Sequence, residues 1–247
     1  MDFQRLSNLS GLCGLRVERI KMSPLIKLSP STLTYLYDEC KRCFYLTLMC
    51  DFKRPSTPMP KIFTKIDGAM KNYFMGRSNK EISPELPDGK MFLAQRWVES
   101  EPMTLPNHTL QPFFRGIFDA MLEFNCGGYG LIDFKTSEYV PAQLPFYKRQ
   151  LSAYVYSLEH PAPDKLHLEP ITEMGLVYYT PEDLVKFDDE HLSLKGVAHW
   201  KKIERDDADF VRFIDEVLTV LELPEPPEPN PECPFCQYRQ QARANNY

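Results

Sequence analysis

The chain has 247 residues, 43% hydrophobic and 26% charged, an ordinary balance for one sizeable α/β core with appendages. No apolar run approaches the ~18 residues a membrane helix needs, and residues 1–22 lack the continuous apolar stretch and cleavage site of a signal peptide. The net charge of −5 argues against a uniformly basic coat for nucleic acid, yet residues 1–80 carry 14 Lys and Arg against 6 Asp and Glu, and the remainder 15 against 28. That asymmetry suits a basic N-terminal wall on an acidic body.

Residues 1–24 read as an N-terminal extension before a domain spanning 25–223. Ser29-Pro30-Ser31-Thr32 supplies a hydroxyl cap and a first-turn proline. Leu33, Leu36, Tyr37, Cys40 and Phe44 then recur at helical spacing, which predicts an amphipathic helix over 30–50. A loop from Pro55 to Pro60 leads to a second helix marked by Ile62, Ile66, Met70, Tyr73 and Phe74. Residues 91–98 and 110–124 have strand composition, Asn125-Cys126-Gly127-Gly128 is a turn, and Leu131 to Phe134 is a short buried strand. A helix over 143–159, a strand over 174–179, a hairpin over 186–204 and a helix over 206–223 follow. Five prolines between Pro224 and Pro231 make a stiff spacer in a C-terminal segment, 224–247, that delivers Cys233 and Cys236. The order implies an α/β fold, a mixed sheet flanked by helices.

Chemistry concentrates in Arg115-Gly116-Ile117-Phe118-Asp119 and Leu131-Ile132-Asp133-Phe134-Lys135-Thr136-Ser137. Two strands joined by a tight turn bring Asp119 near Asp133, and the period of two puts Lys135 on the same face as Asp133. Converging carboxylates are costly unless a cation joins them. A hard divalent ion such as Mg²⁺ suits that donor set, with Lys135 orienting the water or neutralising charge on a phosphate. A D-x-K triplet alone is common by chance; its weight comes from G-x-x-D upstream and Gln150-Leu151-Ser152-Ala153-Tyr154 on the next helix. None of the five histidines stands in a ligand spacing, and they read as structural or surface groups.

Taken together, G-x-x-D, D-x-K-T-S and Q-x-x-x-Y resemble the signature of the PD-(D/E)xK nuclease superfamily. The chain is most similar to the RecB-like branch that includes the CRISPR-associated single-strand exonucleases. The likeness runs from about Leu28 to the C-terminal cysteines. It implies a restriction-endonuclease-like core and Mg²⁺ or Mn²⁺ held by Asp119, Asp133 and the Phe134 carbonyl. It also implies catalysis by Lys135, with Gln150 and Tyr154 positioning the strand or the water. Many members carry a histidine ligand three residues after a helical glycine; here Gly68-Ala69-Met70 is followed by Lys71, and an ammonium has no lone pair for a metal.

Seven cysteines without a secretory signal read as reduced thiols or metal ligands in a cytoplasmic protein. Cys40-Lys41-Arg42-Cys43 and Cys233-Pro234-Phe235-Cys236 are either two unrelated buried pairs or one site. Two C-x-x-C pairs and a stiff spacer favour a shared four-thiolate metal site, with Cys40 and Cys43 on one helix face. Cys13, Cys50 and Cys126 read as ordinary small buried residues. In the resembled exonucleases, one N-terminal and three C-terminal cysteines hold an iron–sulfur cluster. Here Ala242 stands at the third C-terminal position and Cys43 offers the fourth thiolate, a pattern open to Zn²⁺ or [4Fe–4S]. The expected function is a divalent-metal-dependent nuclease on single-stranded DNA or DNA ends, with a protein partner in a repair or defence complex and no membrane partner. The alternative is a weak or inactive nuclease-fold module that binds nucleic acid.

Overall fold

The computed structural model describes residues 24–55 and 58–245. The expected N-terminal extension up to residue 23, Cys13 and the middle of the Pro55–Pro60 loop lie outside them. The described chain forms two compact units, residues 24–55, 102–113 and 208–245, and residues 58–101 and 114–207.

The second unit begins with helix α3 (Lys61–Phe74) and the short α4 (Asn79–Ile82). Strand β2 (Gly89–Glu99) pairs antiparallel with β3 (Gln111–Phe124), and β3 with β4 (Tyr129–Lys135). Gly127 and Gly128 close that hairpin at φ 93° and 82°, values a side chain would strain. Helix α5 (Leu144–Glu159) then carries the chain across, so that β5 (Ile171–Lys186) can lie parallel to β4. Strand β6 (Leu192–Lys202) pairs antiparallel with β5. One parallel pair among antiparallel ones makes this the mixed sheet expected, in the order β3-β4-β5-β6 with β2 also on β3. A core of Met70, Phe74, Leu86, Met91, Ala120, Leu122, Ile132, Phe134 and Val177 binds α3 to the sheet. Phe74 stacks on Phe134 with ring centroids 6.0 Å apart, which fixes α3 directly over β4.

The first unit contains β1 (Leu25–Leu28), α1 (Leu36–Glu39), α2 (Lys41–Met49), α6 (Asp207–Leu221, its first residue belonging to the second unit) and α7 (Pro234–Ala244). The Gln111 N–H donates to the Pro24 carbonyl beside β1. Tyr37 meets Phe44 and Phe213 edge-on, both at 5.3 Å. The Glu222 carboxylate accepts from the Thr109 and Leu110 N–H groups and contacts the half-buried His108 ring, which also touches Asp215.

Three expectations change. The helix over 30–50 is broken: Cys40 is extended at φ −167°, ends α1 and caps α2, because its sulfur accepts the Cys43 N–H at 3.4 Å. The hairpin's first arm is the end of β5, not a strand starting at 186; Pro181 is accommodated by a register shift between Pro181 and Asp183. Cys126 is exposed on the tight turn, and Cys50 is half-buried at the end of α2, so neither is an ordinary small buried residue. No helix among the described residues is long and apolar enough to cross a membrane.

Candidate active site and thiolate cluster

The β3–β4 ladder ends at Ala120 opposite Ile132. The next residues along are Asp119 and Asp133, and there a side chain replaces the ladder: Asp119 Oδ2 accepts the Phe134 N–H at 2.9 Å. An extended residue points its N–H and C=O the same way, so the Phe134 carbonyl also faces Asp119. Asp133 is buried, its Oδ1 accepting from Gln150 Nε2 at 3.3 Å. The Lys135 ammonium lies against Asp133 Oδ2 and 4.2 Å from the centre of the Tyr147 ring on α5. Oδ2 itself has no aligned hydrogen bond. Tyr154, one turn beyond Gln150, donates its hydroxyl to the Ile117 carbonyl at 2.6 Å. Asp119, Asp133, Lys135 and Gln150 are therefore one network, while Tyr154 holds α5 against β3 just before Asp119.

Two further groups enter from α3. The buried Lys71 ammonium lies 2.7 Å from Asp119 Oδ1 and 2.8 Å from Asp67 Oδ2. Burial lowers its proton affinity, but the Asp119 and Asp67 carboxylates outweigh this and its pKa is raised. Burial likewise pushes the Asp67 carboxyl up. Sequence reasoning singled out Lys71 and missed Asp67. The signal was an Asp and a Lys four residues apart on a helix, which share a face.

Burial, with the Asp119 charge added, pushes the Asp133 carboxyl up to about 6 against the pull of Lys135 and Lys71. A buried carboxylate with this proton affinity, one oxygen lacking an aligned donor, can take another cation. Two carboxylates and a main-chain carbonyl are hard oxygen donors, so the residues fit a divalent ion that keeps several waters.

The four cysteines of the two C-x-x-C pairs meet in the first unit. Cys40 and Cys236 sulfurs are 3.6 Å apart, Cys43 and Cys233 3.7 Å, Cys43 and Cys236 3.9 Å, and all are buried. They could hold a metal ion, all four sulfurs lying within 4.8 Å of one another. Local backbone builds both halves: Cys40 caps α2 and Cys233 caps α7. Arg239 donates to Cys43 Sγ at 2.9 Å, and Arg54, stacked over Phe235, to Cys233 Sγ at 3.5 Å. Burial disfavours the Cys233 thiolate, but hydrogen bonds from the Cys236 N–H and from the Cys43 and Cys40 side chains outweigh it and bring its pKa to about 7. Burial pushes Cys236 up to about 12. Were all four to ionise, thiolates at this spacing would repel unless a cation lay between them. The spacer is tied down as well: Arg42 donates to the Pro227 carbonyl at 2.6 Å and Asn230 to the Glu39 carbonyl at 2.9 Å.

The model of the PD-(D/E)XK nuclease superfamily matches residues 79–241, more than half of the chain. The chain belongs to that superfamily. The match takes in Asp119, Asp133, Lys135, Gln150 and Tyr154 together with Cys233 and Cys236. A solved structure described as "Crystal structure of SSO0001" is similar at a TM-score of 0.48 and 15% identity, over 93% of this chain and 91% of that one. No curated protein matches the chain.

Proposed function

We propose that the chain is a divalent-metal-dependent nuclease of the RecB-like branch that hydrolyses phosphodiester bonds of DNA, in single strands or at ends. The convergence of Asp119, Asp133 and Lys135 at the end of the β3–β4 ladder carries this reading. Asp119, Asp133 and the Phe134 carbonyl would hold Mg²⁺ or Mn²⁺, which supplies a water of lowered pKa and positive charge for the scissile phosphate. The Phe134 N–H fixes Asp119, and Gln150 fixes Asp133 from α5. Lys135 places an ammonium beside the carboxylates, where it can orient the attacking water and offset charge growing on phosphate oxygens. Tyr154 keeps α5 in register with β3.

The preference for unpaired strands is supported by the side of β3 that leads to Asp119. Arg115, Ile117 and Asp119 share that side by the period of two. Trp97, opposite Ile117, is 61% exposed and Ile117 42%, with the Arg115 guanidinium 5.3 Å from the indole ring. An exposed indole backed by a guanidinium can stack an unpaired base, as proteins that bind single strands do.

For the four cysteines the proposed ion is a single tetrahedral Zn²⁺. Thiolates on one zinc at about 2.3 Å lie about 3.8 Å apart, close to the 3.6–3.9 Å separations here. A [4Fe–4S] cluster places each thiolate on a different iron and needs a wider spacing. The second reading, a binding module without catalysis, is favoured by the Lys71 ammonium on Asp119.

Incubating the protein with labelled single- and double-stranded DNA in Mg²⁺, Mn²⁺ or EDTA tests the main reading. Cleavage with either ion and none in EDTA is expected, faster on single strands or frayed ends. Tight DNA binding without cleavage in any ion would leave the binding module standing.

A further inference from the structure

We infer that Lys71 is a built-in cation of the acidic site, shared by Asp67 and Asp119, which limits the site to one divalent ion and weakens its hold on that ion. This rests on the reading that Asp119 and Asp133 bind the ion. Lys71 is not a surface lysine that happens to reach a carboxylate. Its side chain is 6% exposed, and Met70 and Phe74, in the core on either side of it, fix α3 over the sheet. Its ammonium touches Asp119 Oδ1, while the Phe134 N–H takes Oδ2. Both oxygens of Asp119 thus already have a donor, one carrying a full charge.

Asp67 gives this arrangement a second purpose. An ammonium wholly committed to Asp119 would cancel the carboxylate's charge and leave a divalent ion little to gain there. Asp67, four residues before Lys71 on the same helix face, takes part of the ammonium at 2.8 Å. Lys71 and Asp67 sum to zero charge, so Asp119, Asp133 and Lys135 retain a net single negative charge between them. That is enough for one divalent ion and unfavourable for two.

The two α3 residues should therefore act on metal affinity in opposite directions, which a merely structural ion pair would not do. The test is Mn²⁺ titration of the full chain, stripped of divalent ions at the acidic site only, read by calorimetry and by the spin resonance of free Mn²⁺. Wild type should bind one Mn²⁺. Lys71→Met should bind it about tenfold or more tightly and Asp67→Asn severalfold more weakly, from the loss of one nearby charge in each case. Lys71→Gln is the second variant if the methionine does not fold. Asp133→Asn keeps the two questions apart. If it binds Mn²⁺ as wild type does, the ion is not held by these carboxylates and the reading beneath the inference fails. If it loses Mn²⁺ while Lys71→Met and Asp67→Asn shift affinity in the same direction, or neither moves it twofold, the internal-cation assignment alone is overturned. Two Mn²⁺ in wild type would overturn it as well.

Discussion

The acidic site gathers three carboxylates, Asp67, Asp119 and Asp133, and interleaves them with two ammonium groups, Lys71 and Lys135. The cysteine cluster gathers four sulfurs within 4.8 Å of one another, with the guanidinium groups of Arg54 and Arg239 as the charged groups that donate to them among the described residues. In the first, like charges are separated by cations that belong to the chain. In the second no described part of the chain lies between the sulfurs, which could hold a metal ion. Under the proposed function the ion of the first would come and go, and the ion of the second would not.

The largest expected effect is at the acidic site and concerns activity alone. Asp133→Ala should slow cleavage by about a thousandfold or more. Its melting temperature should hold or rise, since a buried carboxyl pushed up to about 6 is removed. Parallel activity and melting measurements check this, and a large loss of stability would show that the site depends on its charges as much as the cluster does.

The cysteine cluster should show the reverse. Structural zinc is worth roughly 10–16 kcal/mol of apparent binding energy in small peptides, and part of that should be lost in Cys40→Ser or Cys233→Ser. The tail after Pro224 should become protease-sensitive and zinc content should fall from one equivalent, while Cys126→Ser changes neither. A strong chelator of zinc should reproduce the effect, whereas removing Mg²⁺ should stop cleavage without unfolding. Brown protein with visible charge-transfer absorption would replace zinc by iron–sulfur.

Trp97→Ala should weaken binding of single-stranded DNA by about 1–3 kcal/mol, the worth of one stacked base, and leave duplex binding nearly unchanged. Fluorescence anisotropy with both substrates measures the difference.

The smallest effect is on pH-dependent stability in the first unit. Burial opposes the charged form of His108, but Glu222 and Asp215 outweigh it and raise its pKa. Its contribution is therefore complete below its ordinary value of about 6.5 and lost as pH rises through the higher folded value. Glu222 works the other way: burial would raise it, but the Leu110 N–H, His108 and Thr109 hold it down at about 2. Its contribution is present above the ordinary carboxylate range and lost as pH falls toward about 2. His108→Gln should thus cost about 1–3 kcal/mol near pH 5–6 and progressively less on the alkaline side, measured by denaturant unfolding across pH.

Periodicity and turn chemistry made the α/β order legible, because β3, its Gly-Gly turn and β4 are consecutive and α5 follows within ten residues. The acids of that hairpin could be found for the same reason: their proximity is local. For Asp67 the spacing to Lys71 signals only the pair on α3; what makes it part of the site is contact across 48 residues between Lys71 and Asp119. Cys40 misled for a different reason. Its neighbours carry a helical apolar pattern, but a sulfur that accepts a main-chain N–H acts as a cap, and a cap interrupts the helix it would otherwise join. Helix α7 follows the proline spacer, and only Pro234, at its first turn, marks its start in the sequence.

The most direct test compares wild type with Lys135→Ala on labelled single-stranded DNA in Mg²⁺, with Mn²⁺ affinity measured on the same preparations. Lys135→Ala is expected to lose cleavage while still binding Mn²⁺ through Asp119 and Asp133. Cleavage at the wild-type rate would contradict the placement of the chemistry on this network.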